Sequence, residues 1–174
     1  ITVLLQKNYI LNFIACDFFI LLVVAKFIYL CYTNNMFVID SLIGNTDRHN
    51  GNWGFLVNKS TDKIKFSPIY DCGSCLNPII EDDEIVKMNE TEIKNLALNC
   101  YSCIKEDGKK INCMSYIKSL KNAECTNAVK RLIPNIDITK IIEFIANISC
   151  ISYVRKDFYK KSLMIRYDII KSIV

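Results

Sequence analysis

A chain of 174 residues, 51% hydrophobic and 23% charged, can build one globular domain with a real core and is not a disordered tail. Its net charge of +4 is spread, with Lys105, Lys109, Lys118 and Lys130 set among Asn, Asp and Glu, which reads as a solvated surface and excludes an obvious nucleic-acid stripe. Nine cysteines, an odd number with no secretory signal, point to reduced thiols in a cytoplasmic compartment.

In chain order, Ile10 to Tyr32 comes first, 23 residues that could span a bilayer by length. Asn12, Asp17 and Lys26 interrupt the run, and charge near the middle of a spanning helix is costly, so a buried helix or an aberrant stretch is expected and a membrane partner is not. Residues 1–35 are set apart as an atypical apolar segment, and 36–174 as the folded domain. Phe37, Val38, Leu42 and Ile43 recur at helical spacing, and Gly44 is placed to end that helix in the left-handed conformation. Trp53 to Val57 and Lys63 to Ser67 read as strands joined by the turn-rich run Asn58 to Asp62. Glu81 to Glu84 reads as a solvated loop or the first turn of a helix, where acids complement the macrodipole.

The C-terminal half reads as helices. Ile138, Ile141, Ile142, Ile145 and Ile148 form one apolar face behind Asp137 as N-cap, with Pro134 marking the boundary upstream. Tyr153 to Val174 reads as an amphipathic helix, with Val154, Phe158, Met164 or Ile165, and Ile169 inward and Arg155, Lys156, Lys160 and Lys161 outward. Cys72-Gly-Ser-Cys75 and Cys100-Tyr-Ser-Cys103 are two C-x-x-C pairs, the arrangement of a thiolate zinc site. Their separation of 24 residues exceeds the usual spacing, and the first pair adjoins Asp71, so structural zinc is not expected.

The chemistry concentrates between Gly44 and Gly73. Asp47 and Asn52 lie five positions apart in a short Gly-bounded loop, and a hairpin later comes Asp71-Cys72-Gly73. Phosphoryl transfer to a hydroxyl needs a carboxylate to take the proton, and an Asn and a second Asp to hold Mg²⁺; a hairpin between them returns the two metal oxygens to one place. Taken singly, Asp47 and Asn52 also suit turn and strand-entry positions, and Arg48 suits a structural ion pair or a solvated charge.

The run T-D-R-H-N-G-N-W-G, followed by S-P-I-Y-D-C-G-S-C, resembles the HipA-like serine/threonine kinases, in particular their bacterial branch with D-R-H-x-x-N and Y-D-x-G motifs. The likeness covers Phe37 to Pro78 well; Gly108 to Ile111 and Asp157 to Lys160 resemble the family's helical C-terminal lobe less specifically. It implies an α+β, mainly α, kinase-like C-terminal lobe with a small hairpin between catalytic loop and metal-binding Asp. It implies Asp47 as catalytic base, His49 as a brace of the loop, and Asn52 and Asp71 as Mg²⁺ ligands that also bind ATP. A protein substrate bearing Ser or Thr follows, with an antitoxin or other regulatory partner allowed.

No glycine precedes Gly44, and neither Lys7 nor Lys26 sits in a strand motif of the Val-Ala-Ile-Lys kind. The phosphate-covering N-lobe is therefore expected to be absent, the chain to be a fragment, and the chain alone to be inactive. The alternatives are a non-catalytic binding or regulatory remnant, a zinc module, and a metal hydrolase using Asp47, His49 and Asp71, the last weakened by the presence of a single His.

Overall fold

The computed structural model describes residues 2–4, 33–61 and 63–174. The apolar run Ile10 to Tyr32 lies wholly outside the described residues, and so does the expectation of a buried or aberrant segment. Among the described residues no helix is long and apolar enough to cross a membrane.

Helix α1 is described over residues 33–43. It turns Met36, Phe37, Val38 and Leu42 inward, and Gly44, at φ +70°, stops it where the apolar spacing runs out. The loop that follows delivers the chain to strands β2 (Phe55–Asn58) and β3 (Lys63–Phe66), paired antiparallel with Phe55 opposite Phe66 and Asn58 opposite Lys63. The Asn58 side-chain oxygen accepts from the Ser60 N–H at 3.0 Å, so the turn is built by its own side chain. Phe55 stacks on Phe66 with ring centroids 4.6 Å apart and meets Trp53 edge-on at 6.0 Å, which pins the register from one face. Strand β1 (Thr2–Leu4) lies antiparallel on the other side of β2, Thr2 opposite Val57.

Helix α2 (Asp82–Lys87) carries Asp82, Asp83 and Glu84 in its first turn. Helix α3 (Glu90–Leu98) opens with a capping box in which the Asn89 side chain accepts from the Glu92 N–H and Glu92 reaches back to the Asn89 N–H. A second hairpin follows, β4 (Tyr101–Glu106) and β5 (Lys109–Asn112), where helix was expected. Its cause is local: Asp107 at φ +49° and Gly108 at φ +77° form the two-residue turn that matches strand twist, and a left-handed pair cannot sit inside a helix. Helices α4 (Cys113–Ser119), α5 (Ala123–Leu132), α6 (Ile138–Asn147) and α7 (Tyr153–Lys171) complete the domain, with a 3₁₀ turn (Ile133–Asn135) around Pro134. Asp137 caps α6 by accepting from the Lys140 N–H at 3.2 Å, in the place its sequence position indicates.

Two apolar clusters hold these elements. The larger gathers Phe37, Val38 and Leu42 of α1 with residues of α4 to α7; the smaller joins Ile85 of α2 and Ile93 of α3 to Phe158 of α7. Burying a side chain such as Phe158 stabilises by ~2–3 kcal/mol, and α7 contributes to both clusters, which makes it the spine of the domain. Its buried face is Phe158, Ser162, Leu163, Arg166, Tyr167 and Ile170; of the expected stripe Phe158 lies on it, Val154, Ile165 and Ile169 pack half-buried at its edges, and Met164 points outward. Arg155, expected outward, is instead inside: its guanidinium pairs with Asp82 at 2.7 Å, because the first turn of α2 brings a carboxylate over that position.

Candidate functional site

The loop after α1 hangs between two buried guanidinium groups. Beneath Gly44 lies Arg166 of α7, 1% exposed, so close that a Cβ on Gly44 would come within 2.6 Å of its guanidinium carbon. Its Nε donates to the Ala97 carbonyl at 2.8 Å, and its Nη1 has no hydrogen-bond partner among the described residues. Burial lowers its pKa, against which the nearby Cys100 and Cys113 sulfurs act. Those two thiols face each other at 3.7 Å, and the hydrogen bond between them lowers the pKa of Cys100 and raises that of Cys113.

Arg48 is the second anchor. Its Nε and Nη2 donate to the two carboxylate oxygens of Asp40 on α1 at 2.9 and 3.0 Å, a fork-on-fork pair with both side chains nearly inaccessible. Its Nη1 donates to the Asn52 carbonyl at 2.6 Å and also to the Tyr70 carbonyl. Burial works against the charge, and Asp40 outweighs it, so the Arg48 pKa is raised. One nitrogen shared by two carbonyls places those oxygens within ~6 Å of each other. The end of the loop and the residue before Asp71 are therefore one assembly, with the Tyr70 hydroxyl adding a bond to the Gly51 carbonyl at 3.0 Å.

Around this frame the sequence candidates take their places. Asp47 is exposed, while its main chain is fixed: its N–H donates to Asn45 Oδ1 at 3.2 Å and its carbonyl accepts from Asn52 Nδ2 at 2.7 Å. Asn52 is buried, and that bond turns its Oδ1 away from the Asp47 carbonyl. His49 is exposed and its Nδ1 accepts from the Gly51 N–H at 3.0 Å, which puts the ring proton on Nε2 and folds the loop tip over. Asp71 is exposed at φ +54°, a left-handed position that an Asp tolerates better than most residues. Asn52 and Asp71 are hard oxygen donors of the kind Mg²⁺ takes, and Mg²⁺ commonly uses one or two protein oxygens beside phosphates and waters. The residues fit that ion in company with a polyphosphate.

Other residues were missed by sequence reasoning. Asn45, 2% exposed, donates to Asp40 Oδ1 at 2.9 Å; Ser74 accepts from the Thr46 N–H at 3.2 Å and also bonds Asn45 Oδ1. Cys103 of β4 donates to the Thr46 carbonyl at 3.1 Å and approaches Asp47 Oδ1 at 3.8 Å; burial, then Asp47, pushes its pKa up. Asp40 had a signal, a lone carboxylate inside Phe37-Val-Ile-Asp-Ser-Leu-Ile, eight residues before an Arg. Ser74, Cys103 and Arg166 had none, since only the tertiary fold brings them here. The cysteines of the two C-x-x-C pairs do not meet at one point: Cys72 lies by Arg48, Cys100 by Cys113 and Cys103 by Thr46. Among the described residues no group of three or more His, Cys, Asp or Glu is arranged to hold a metal.

No family model matches the chain. It is 40% identical over 133 residues to the serine/threonine-protein kinase CtkA of Helicobacter pylori, an alignment covering 74% of this chain and 41% of that protein. The crystal structure of the Helicobacter pylori proinflammatory kinase CtkA superposes with a TM-score of 0.75 at 36% identity, over 83% of this chain and 53% of that one. The chain thus spans about half or less of the length of the proteins it matches. This 40% identity over most of the chain, together with a shared fold, makes it a homologue of a serine/threonine-protein kinase, in keeping with the resemblance of its loop motifs to the HipA-like kinases.

Proposed function

We propose that this chain supplies the base and the metal ligands of a HipA-like serine/threonine protein kinase, which transfers the ATP γ-phosphoryl group to a Ser or Thr hydroxyl of a protein substrate. Mg²⁺·ATP, when bound, supplies the phosphoryl group and the neutralising charge. Asp47 would take the hydroxyl proton onto its exposed carboxylate, and Asn52 and Asp71 are the residues whose oxygens would hold the metal. His49 keeps the loop tip folded. An antitoxin-like or other regulatory protein is the further partner that this reading admits.

One observation carries it: Arg48 binds the carbonyls of Asn52 and Tyr70 with a single nitrogen, so the loop bearing Asp47 and the turn bearing Asp71 are held as a unit. Mutual positioning of base and metal ligands is what phosphoryl transfer asks of a protein.

The test separates binding from chemistry. Mn²⁺·ATP binding is read by the loss of the free Mn²⁺ electron-spin signal, and transfer by radiolabel from ATP, on this chain and on a chain extended to the length of CtkA. Asn52→Ala and Asp71→Ala weaken Mn²⁺·ATP binding. Asp47→Asn leaves binding in place and lowers transfer by a factor on the order of 10² or more. Binding unaffected by either ligand substitution overturns the metal assignment; binding without transfer at both lengths makes the lobe a non-catalytic nucleotide-binding module.

A further inference from the structure

Cys72 and Cys75 form a C-x-x-C pair that phosphoryl transfer leaves unused. They end one turn, in which the Cys75 N–H donates to the Cys72 carbonyl at 3.1 Å, and their side chains interact across it. A four-residue turn brings its end Cα atoms within about 7 Å, and disulfides form at Cα separations of about 4.4–6.8 Å. Cys72 is exposed, its sulfur accepting from Arg48 Nη2 at 3.4 Å, and Cys75 sits half-buried behind it. An accessible sulfur with a second thiol in reach across a single turn is the layout of an attacking and a resolving cysteine.

The same turn clasps the loop of Asp47. Between the two cysteines Ser74 takes the Thr46 N–H and bonds Asn45 Oδ1, and one residue beyond them the Leu76 N–H donates to the Ile43 carbonyl at 3.0 Å. Ser74 lies between the two cysteines in sequence, so a bond drawn across the turn acts on the residue that holds the Thr46 N–H and Asn45 Oδ1. By contrast Cys100 and Cys113, although 3.7 Å apart, are 2% and 1% exposed and closed to a disulfide reagent.

We propose that Cys72 and Cys75 are a reversible thiol–disulfide site whose closure loosens the grip of the Cys72–Leu76 turn on the Asn45–Asp47 loop. The co-reactant is a small disulfide such as oxidised glutathione. Cys72, its proton released to solvent, attacks one glutathione sulfur; the glutathione S–S bond breaks, one glutathione thiolate leaves and a mixed disulfide remains. Cys75 then loses its proton and attacks the Cys72 sulfur, releasing the second glutathione. Two protein thiols are oxidised to one disulfide, and one glutathione disulfide is reduced to two thiols. The proposal rests on the kinase reading only for its consequence, the displacement of Asp71 and Asp47 from each other.

The chain is equilibrated in mixtures of reduced and oxidised glutathione, quenched in acid, alkylated and mapped by peptide mass, and its amide exchange is followed by NMR. The expected result is an intramolecular Cys72–Cys75 disulfide, reversed by dithiothreitol, with the Thr46 amide exchanging about ten-fold faster than in the reduced chain. Cys75→Ser stops at a glutathione adduct on Cys72, and Cys72→Ser takes up no glutathione in the turn. Free alkylation of both thiols in the most oxidising mixture, a disulfide mapped elsewhere, or an unchanged Thr46 amide in the disulfide form overturns the proposal. None of these readings involves nucleotide, so failure here leaves the kinase reading standing, and failure of Mn²⁺·ATP binding leaves this site standing.

Discussion

Replacing Arg48 with Met tests the architecture of the site. The substitution keeps most of the aliphatic stem and deletes the guanidinium, which abandons the Asp40 carboxylate, 5% exposed, with Asn45 Nδ2 as its remaining side-chain donor among the described residues. Breaking a buried pair by removing one partner costs about 3–5 kcal/mol, because the other charge stays behind uncompensated. The Asn52 and Tyr70 carbonyls lose their donor as well, adding to the cost wherever water does not replace it. A domain of ordinary stability, about 5–15 kcal/mol, is left marginal. Urea denaturation followed by circular dichroism measures the loss. Asp40→Leu in the same chain recovers a large part of it, since exchanging both ions for apolar groups removes the uncompensated charge, and the two substitutions are non-additive by ~2 kcal/mol or more. Arg48→Lys falls between, because one ammonium cannot serve a carboxylate fork and two carbonyls together. A loss below ~1 kcal/mol for Arg48→Met, or plain additivity with Asp40→Leu, refutes the claim that this guanidinium assembles the site.

Gly44→Ala destabilises by ~3 kcal/mol or more: about 1–2 kcal/mol from a side chain at φ +70°, and the rest from pushing the buried Arg166 guanidinium aside, read as a lowered thermal midpoint. Asp82 has its pKa lowered, first by the Ser152 hydroxyl and then by Arg155, so its stabilisation is complete above the unfolded carboxylate value of about 3.9 and is lost as pH falls through the lower native value. Asp82→Asn accordingly flattens the decline in stability with falling pH in that acid range, measured by denaturation midpoints; an unchanged slope removes Asp82 from the acid response.

What could be read from sequence was local. Gly44 ending α1, the β2–β3 hairpin around Asn58 and Asp137 capping α6 are each decided within a few residues by backbone freedom or a short polar side chain. Asp47, Asn52 and Asp71 could be named from spacing and His49 from the resemblance to the HipA-like kinases, and Arg48 bonds the carbonyl of Asn52 and that of Tyr70, the residue before Asp71. The second hairpin had its signal in Asp107-Gly108, but flanks rich in Lys lack the alternation that marks a strand, and helical periodicity downstream drew the reading the other way. Arg155 and Arg166 were invisible for a different reason. Pattern reading sends charge outward, and the Asp82 carboxylate, the Ala97 carbonyl and the space above Gly44 that hold these two groups come from distant parts of the chain.

Gly44 and Arg166 share one volume: the space a Cβ would need at the first is filled by the guanidinium of the second. The two positions consequently have a preferred order of change over evolutionary drift. A shorter, uncharged residue at 166 leaves a hole and a lone Ala97 carbonyl, a moderate defect that a chain can carry while it drifts. A side chain at 44 with Arg166 still in place meets the guanidinium as well as the left-handed backbone, the larger defect of the two. Divergence of the turn that opens the Asp47 loop therefore begins on α7, in a residue that touches none of the groups assigned to the chemistry.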